Sequence, residues 1–399
     1  MRILHLTFEY PPFVHGGLGR YVHGLARAQA AAGHDVTVIA PGADLFASPG
    51  PGSAADEETA EGVRVLRVPV PKRLPGPIAP EAKNEVLDAV GALAGELLHL
   101  ALRQQADVVH AHDWMTGSSG RGAAHAMAVP MVLTVHATER GRRFGRLDTA
   151  LARAIDETER TAVHVADAVT VCSAAMVDEV AHLGRDPRDL TVVPGAVDAP
   201  AWRVDPEVRA VARQRFSPDR SLLVAAGRLE WEKGFSTLLR AVPGLTRAAG
   251  PVRVVLAGAG SYQPTLVALG DEVGADVLFA GRLDPPQLAA LLAAADAVVV
   301  PSRYEPFGLI ALEAQASGAA VVATAVGGLA DTVQDAVTGR SFAPGDVDHL
   351  AAILGDLLAD PLGTQGLAAA GQLAAAERTW ERVARCVESV YRGAGRPTS

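Results

Sequence analysis

The chain has only two cysteines in 399 residues, Cys172 and Cys386, and they lie far apart. That excludes a disulfide framework and suits a reducing compartment, so a cytoplasmic location is expected. A basic excess is also missing. The formal net charge is −9, which removes the electrostatic footprint of a nucleic-acid binder. No apolar run approaches the roughly 18 residues that a membrane span needs, so no integral membrane contact is expected. Residues 1–6 read directly as a strand with no small-residue cleavage site behind them, and no signal peptide is expected. No Asp-x-Asp metal motif stands at a strand end, since Asp346-Val347-Asp348 reads as a helix cap with an acidic first turn. The local signatures of Ser/His/Asp and Cys/His nucleophiles are lacking too. Lysine and asparagine are nearly absent: 33 arginines accompany Lys72, Lys83 and Lys233, and the one asparagine is Asn84. With so much Ala, Gly and Val, codon usage accounts for this bias, and a retained lysine asks for a chemical reason.

What is present is a repeated strand–helix grammar. The length exceeds one ordinary core and 49% of residues are hydrophobic, so two domains are expected. Strands are predicted at 2–8, 35–40, 63–68, 107–112, 131–136, 168–172 and 190–193. The pattern restarts at 222–226, 252–257, 277–280, 297–300, 320–324 and 339–342. Helical periods fill several gaps, among them 19–32, 81–104, 147–165 and 174–183. Such alternation implies an α/β protein with two doubly wound parallel sheets. The Pro-rich stretch 194–206 marks the boundary, giving domains over 1–197 and 198–377. Residues 41–62, rich in Gly, Pro, Ser and acids, read as a long loop, and 393–399 as a frayed tail. The last helix, 380–391, puts Trp380, Val383, Ala384, Val387, Val390 and Tyr391 on one face.

Ligands of open α/β sheets bind outside the carboxyl ends of the strands, so those loops carry the chemistry. After 297–300, Glu305 falls in a loop and Glu313 on the helix predicted over 309–316. Between them the amides of Phe307, Gly308 and Leu309 are donors at a helix start, where the dipole favours an anion. A carboxylate, an amide nest and a second carboxylate two turns on can hold a sugar, a diphosphate and a ribose in a row. After 222–226, Arg228 and Lys233 flank a short loop and can neutralise a diphosphate, one as a fork and one as a point charge. A glycine loop at Gly327 and Gly328 precedes a further helix. In the first half, the loop from Glu9 to Gly19 pairs Gly16 with Gly17, letting amides approach a phosphate. Asp113 and His136 each end a strand, where a substrate contact is needed. His110 and His112 share one side of a strand at a spacing metal ligands use, though hydrogen-bonded core histidines are the favoured reading. Arg140, Arg142, Arg143 and Arg146 crowd the loop after His136, and arginine forks suit a phosphorylated acceptor. Glu9, Arg142 and Arg143 are assigned to the acceptor side.

Taken together these motifs resemble one family. They are Glu9-Tyr10-Pro11-Pro12 with Gly16-Gly17-Leu18-Gly19, His112-Asp113-Trp114, His136-Ala137-Thr138-Glu139, Gly227-Arg228-Leu229 with Glu232-Lys233-Gly234, Glu305-Pro306-Phe307-Gly308-Leu309 with Glu313, and Gly327-Gly328-Leu329 with Asp331-Thr332-Val333. The chain resembles the family 4 retaining glycosyltransferases of the GT-B type, within them glycogen and starch synthases and maltose-phosphate relatives. The resemblance implies two Rossmann-like domains facing a cleft, with a C-terminal helix at 378–394 returning to the N-terminal domain. It implies that Arg228 and Lys233 bind the donor diphosphate and that Glu313 holds the ribose. Glu305, with the amides of Phe307, Gly308 and Leu309, would orient the sugar and distal phosphate. His136 and Asp113 would touch the sugar, while Gly17 and Gly19 close over the phosphates.

The implied activity is a metal-independent, same-face transfer of a hexose, glucose, from a nucleotide-diphosphate sugar such as ADP-glucose. The acceptor would be a glucan, a sugar or a sugar phosphate. No further cofactor is expected, and the reading admits a homo-oligomer. Two rival readings are a tailoring glycosyltransferase acting on a small natural product and a nucleotide-sugar-binding protein without turnover.

Overall fold

The computed structural model describes residues 1–45, 57–70 and 83–395. Lys72, half of the loop expected over 41–62 and the end of the tail lie outside the described residues. Two compact units form, one from Met1–Gly195 with the chain from Trp380 onward, the other from Ala196–Thr379.

In the first unit the apolar runs become strands β1 (Arg2–Leu6), β2 (Asp35–Pro41), β3 (Glu57–Ala60), β4 (Val63–Val68), β5 (Val108–His112), β6 (Met131–Val135), β7 (Ala168–Val171) and β8 (Leu190–Val192). They are ordered β3-β4-β2-β1-β5-β6-β7-β8, and every pairing is parallel except β3 with β4. β3 is a correction. The composition of 41–62 predicts a loop, but Glu57–Ala60 pair antiparallel with β4 as the sheet's edge. An edge strand needs no continuous apolar run, and charge there discourages further pairing. The chain winds outward from β1 to β4 and then returns to place β5 beside β1. The switch point therefore lies between the carboxyl ends of β1 and β5.

The second unit holds β9 (Ser221–Ala226), β10 (Val252–Ala257), β11 (Asp276–Gly281), β12 (Ala297–Val300), β13 (Val321–Thr324) and β14 (Arg340–Phe342). All are parallel, in the order β11-β10-β9-β12-β13-β14, with the switch point between β9 and β12. Leu223, Ala225, Val299 and Val322 point to one apolar layer, and Leu222, Val224, Val298 and Val321 to the other. Helices cover both faces, as a fully buried parallel sheet requires. Among the described residues no helix is long and apolar enough to cross a membrane.

The helix Trp380–Ala394 packs its apolar stripe, Val383, Ala384, Val387 and Tyr391, inside the first unit. Its first residue, Trp380, lies edge-on to Tyr21 at 5.5 Å. It also lies over Gly24 of the helix Gly17–Ala31, where any Cβ would overlap the indole. Gly24 costs helix propensity but permits this contact. Replacing Gly24 by Ala is expected to destabilise the protein by about 1–3 kcal/mol through overpacking. Urea unfolding would show it as a lower midpoint at unchanged slope, and an unchanged midpoint would contradict the close packing.

Candidate active site

At the switch point of the second unit, the loop after β9 and the loop after β12 meet. Gly234 stands at φ 67° and its missing Cβ leaves room for the Pro301 carbonyl, which brings the two loops together. Across this contact Lys233 Nζ donates to Glu305 Oε2 at 2.7 Å. The two side chains are only 18% and 12% exposed, so solvent screens the pair weakly. Ser302 Oγ donates to the same oxygen at 3.2 Å, and the Thr324 hydroxyl donates to the Ser302 carbonyl at 2.6 Å. Arg228 pairs with Glu232 at 3.1 Å, while Glu230 turns away to accept from the Ser261 amide and hydroxyl. Neither neighbouring glutamate is therefore the partner of Lys233.

Glu313 is buried on the helix Leu309–Ala316, whose bounds match the predicted ones. At that helix's start the amides of Phe307, Gly308 and Leu309 donate to no group among the described residues. The geometry thus gathers Arg228, Lys233, Glu305, Phe307, Gly308, Leu309 and Glu313 at one sheet end. Ser302 escaped sequence reasoning. The available signal was a hydroxyl at a strand end three residues before a site carboxylate.

At the switch point of the first unit the loop after β1 is held by one of its own side chains. Glu9, assigned to the acceptor, turns its carboxylate onto its own loop. It accepts from the amides of His15 at 3.1 Å and Gly16 at 2.9 Å, with Gly19 at 3.4 Å. Gly17 is exposed at the start of its helix, whereas Gly19 is buried against Glu9 and Val14. Asp113, at φ 61°, is a strained residue at the end of β5 whose Oδ1 accepts from the His136 amide at 2.6 Å. Burial pushes its carboxyl up to about 7 against the pull of that amide, so it can exchange a proton near neutral pH. Glu159 lies near it in charge and is pushed by burial up to about 8. It holds the Glu139 amide at 2.8 Å. Its sequence signal was an acid on the buried stripe of the helix Ala150–Val165. In the arginine loop, Arg140 pairs with Asp156 and Arg143 with Glu139, while Arg142 is exposed and its charge favours ionised Asp113 and Glu159.

His110 and His112 do meet a third imidazole, His5, with ligand atoms within 4.8 Å of one another. Both nitrogens of each of these rings, however, are already hydrogen-bonded to protein groups. His110 and His112 are stacked at 4.2 Å rather than converging on one point.

Sequence comparison accounts for these loops. A "Glycosyl transferase 4-like domain" model matches residues 16–196 and a "Glycosyl transferases group 1" model matches 209–374. A glycogen synthase of Mycobacterium tuberculosis is 39% identical over 99% of this chain and 95% of its own. The chain belongs to the glycogen synthase-like glycosyltransferases of family 4. An alpha-maltose-1-phosphate synthase of the same organism is 30% identical, covering 98% of this chain and 99% of that one. Among solved structures, a sucrose-phosphate synthase from Thermosynechococcus elongatus superposes with TM-score 0.81 at 23% identity, covering 98% of each chain. The fold is thus GT-B, and this glycosyltransferase is an enzyme of the hexosyltransferase class.

The glycosyltransferase buries ionisable groups of both kinds, and they act oppositely on its stability. Burial lowers His5 to about 4 and His136 to about 3, and holds His110 and His112 well below the ordinary 6.5. Their contribution is present above pH 6.5 and is lost as pH falls towards the native values. Asp113 and Glu159, raised to about 7 and about 8, contribute stability at acid pH that is lost as pH rises through those values. Stability is expected to peak close to pH 6.5. Near pH ~5 about four protons bound by unfolded histidines, less about two released by the carboxyls, leave a net uptake of roughly two. Urea unfolding across pH measures this slope, and a flat profile below the peak would contradict neutral buried imidazoles.

Proposed function

We propose that this glycosyltransferase moves glucose from a nucleotide-diphosphate sugar to a glucan or sugar-phosphate acceptor, with retention and without a metal ion. The observation that carries the reading is the Lys233–Glu305 contact beside Arg228 and the amides of Phe307, Gly308 and Leu309. An ammonium has three donors and one goes to Glu305, so two remain for a phosphate. Arg228 likewise keeps most of its fork after its bond to Glu232. Fixed donors of this kind stabilise charge that develops on a departing diphosphate, the role a metal would otherwise fill. Glu305 would orient the sugar, and Glu313 would accept from the ribose hydroxyls. In the transfer the bond from the anomeric carbon to the phosphate oxygen breaks. The bond to the acceptor oxygen forms on the same face, and the acceptor's proton passes to the departing phosphate. His136 and Asp113 would contact the sugar, with Gly17 over the phosphates.

Replacing Lys233 by Ala tests the core of this reading. With a chelator present throughout, wild type is expected to turn over fully and the variant to lose roughly 100- to 1,000-fold in kcat. A wild-type rate that needs added magnesium or manganese, or a variant of normal kcat, would count against it.

For the acceptor, the exposed Arg142 and its neighbour Arg143 support an anionic sugar. Glucose 1-phosphate is expected to outcompete neutral maltooligosaccharides in wild type, and to lose that advantage in an Arg142→Ala, Arg143→Ala double variant. Equal extension of neutral glucans by both proteins would instead make polymer elongation the reaction.

A further inference from the structure

A buried chain of hydrogen bonds runs from the C-terminal helix to His136, and every proton in it can be placed. Gln29 of the helix Gly17–Ala31 is its centre. Its Nε2 donates to the Tyr391 hydroxyl at 3.0 Å. The hydroxyl's own proton then goes to His110 Nδ1 at 2.6 Å. His110 must therefore carry its proton on Nε2, which donates to Thr134 Oγ1 at 2.6 Å, and Thr134 in turn donates to Thr170 at 2.7 Å.

The other arm starts at Gln29 Oε1, which can only accept. His5 Nε2 donates to it at 2.7 Å, leaving His5 Nδ1 to accept from His112 Nε2 at 3.0 Å. His112 Nδ1 is then bare and accepts from His136 Nε2 at 3.1 Å. His136 Nδ1 is left facing the Cys172 thiol at 3.6 Å. His5, His110, His112, Thr134 and Thr170 have no exposed surface, and Gln29, Tyr391 and Cys172 are almost as deeply buried. Burial keeps the four imidazoles neutral and the Cys172 thiol and Tyr391 hydroxyl protonated, so only the choice of tautomer is open.

We propose that Tyr391 is a positioning residue which, through Gln29, His5 and His112, sets the tautomer and ring orientation of His136. The inference rests on the reading of His136 as a sugar contact for its consequence in the reaction, but not for its geometry. The hydroxyl joins the two arms, so reversing the Gln29 amide would require every imidazole to move its proton at once. Without the hydroxyl the amide has no partner on that side. Either of its ends can then face His5, and His136 divides between its two tautomers.

The test is histidine nitrogen NMR on the full chain, with signals assigned by single His→Gln variants. In wild type all four rings are expected in the same tautomer, with the proton on Nε2. A set of mixed tautomers in wild type overturns the proposal without any need for a variant at Tyr391. In Tyr391→Phe, His136 is expected to show both tautomers, with kcat reduced on the order of tenfold and KM for the nucleotide sugar unchanged. His136 signals identical to wild type in that variant overturn the proposal whatever the rate. Altered His136 signals with an unaltered kcat would leave the network standing and remove instead the reading of His136 as a sugar contact.

Discussion

A loop that leaves the carboxyl end of a buried parallel strand has no ladder to take its N–H groups. In this chain side-chain carboxylates take them instead. Glu9 gathers the amides of His15 and Gly16, Asp113 takes the His136 amide, Glu159 the Glu139 amide and Glu230 the Ser261 amide. Glu305 does the same for charge, accepting from Lys233 and Ser302. Charge-assisted bonds of this kind are stronger than neutral ones and hold a loop without a strand's support. Loops at both switch points therefore keep a definite shape.

The two units put this device to different uses. In the second, the carboxylates stand against cations, so Lys233 and Arg228 are held in place with donors to spare. In the first, buried Asp113 and Glu159 sit where ionisation is costly, and their proton affinity rises into the neutral range. The same low-dielectric surroundings drive the imidazoles the other way. Asp113, Glu159, His5, His110, His112 and His136 each have a hydrogen-bond partner, which is the condition for tolerating such groups away from water.

The C-terminal helix shows how such a network makes remote sequence matter. Its aliphatic stripe would dock on any apolar surface of the right width. Trp380 against Gly24 and the Tyr391 hydroxyl between Gln29 and His110 make the docking specific. Apolar contact supplies attraction, and the paired polar groups supply register, since a buried hydroxyl left unpaired carries its full desolvation cost.

The sequence by itself determined the alternation of strands and helices, because a strand buried on both faces must read as an apolar run. Ala297–Val300 and the helix Leu309–Ala316 were legible to the residue. It also marked Lys233 and Glu305 as chemical residues by their place at strand ends. It could not show that they touch, since the contact is made by two loops some seventy residues apart in the chain. Glu57–Ala60 was illegible because an edge strand is defined by its neighbour and not by its own hydrophobicity. Position in a loop does not reveal which way a carboxylate turns, so the bonds of Glu9 to the His15 and Gly16 amides are visible only in the structure. The joining of His5, Gln29, His112, His136 and Tyr391 was decided by the tertiary structure alone. Hydrogen bonds have no sequence period, and only the folded backbone decides which buried polar groups must satisfy one another.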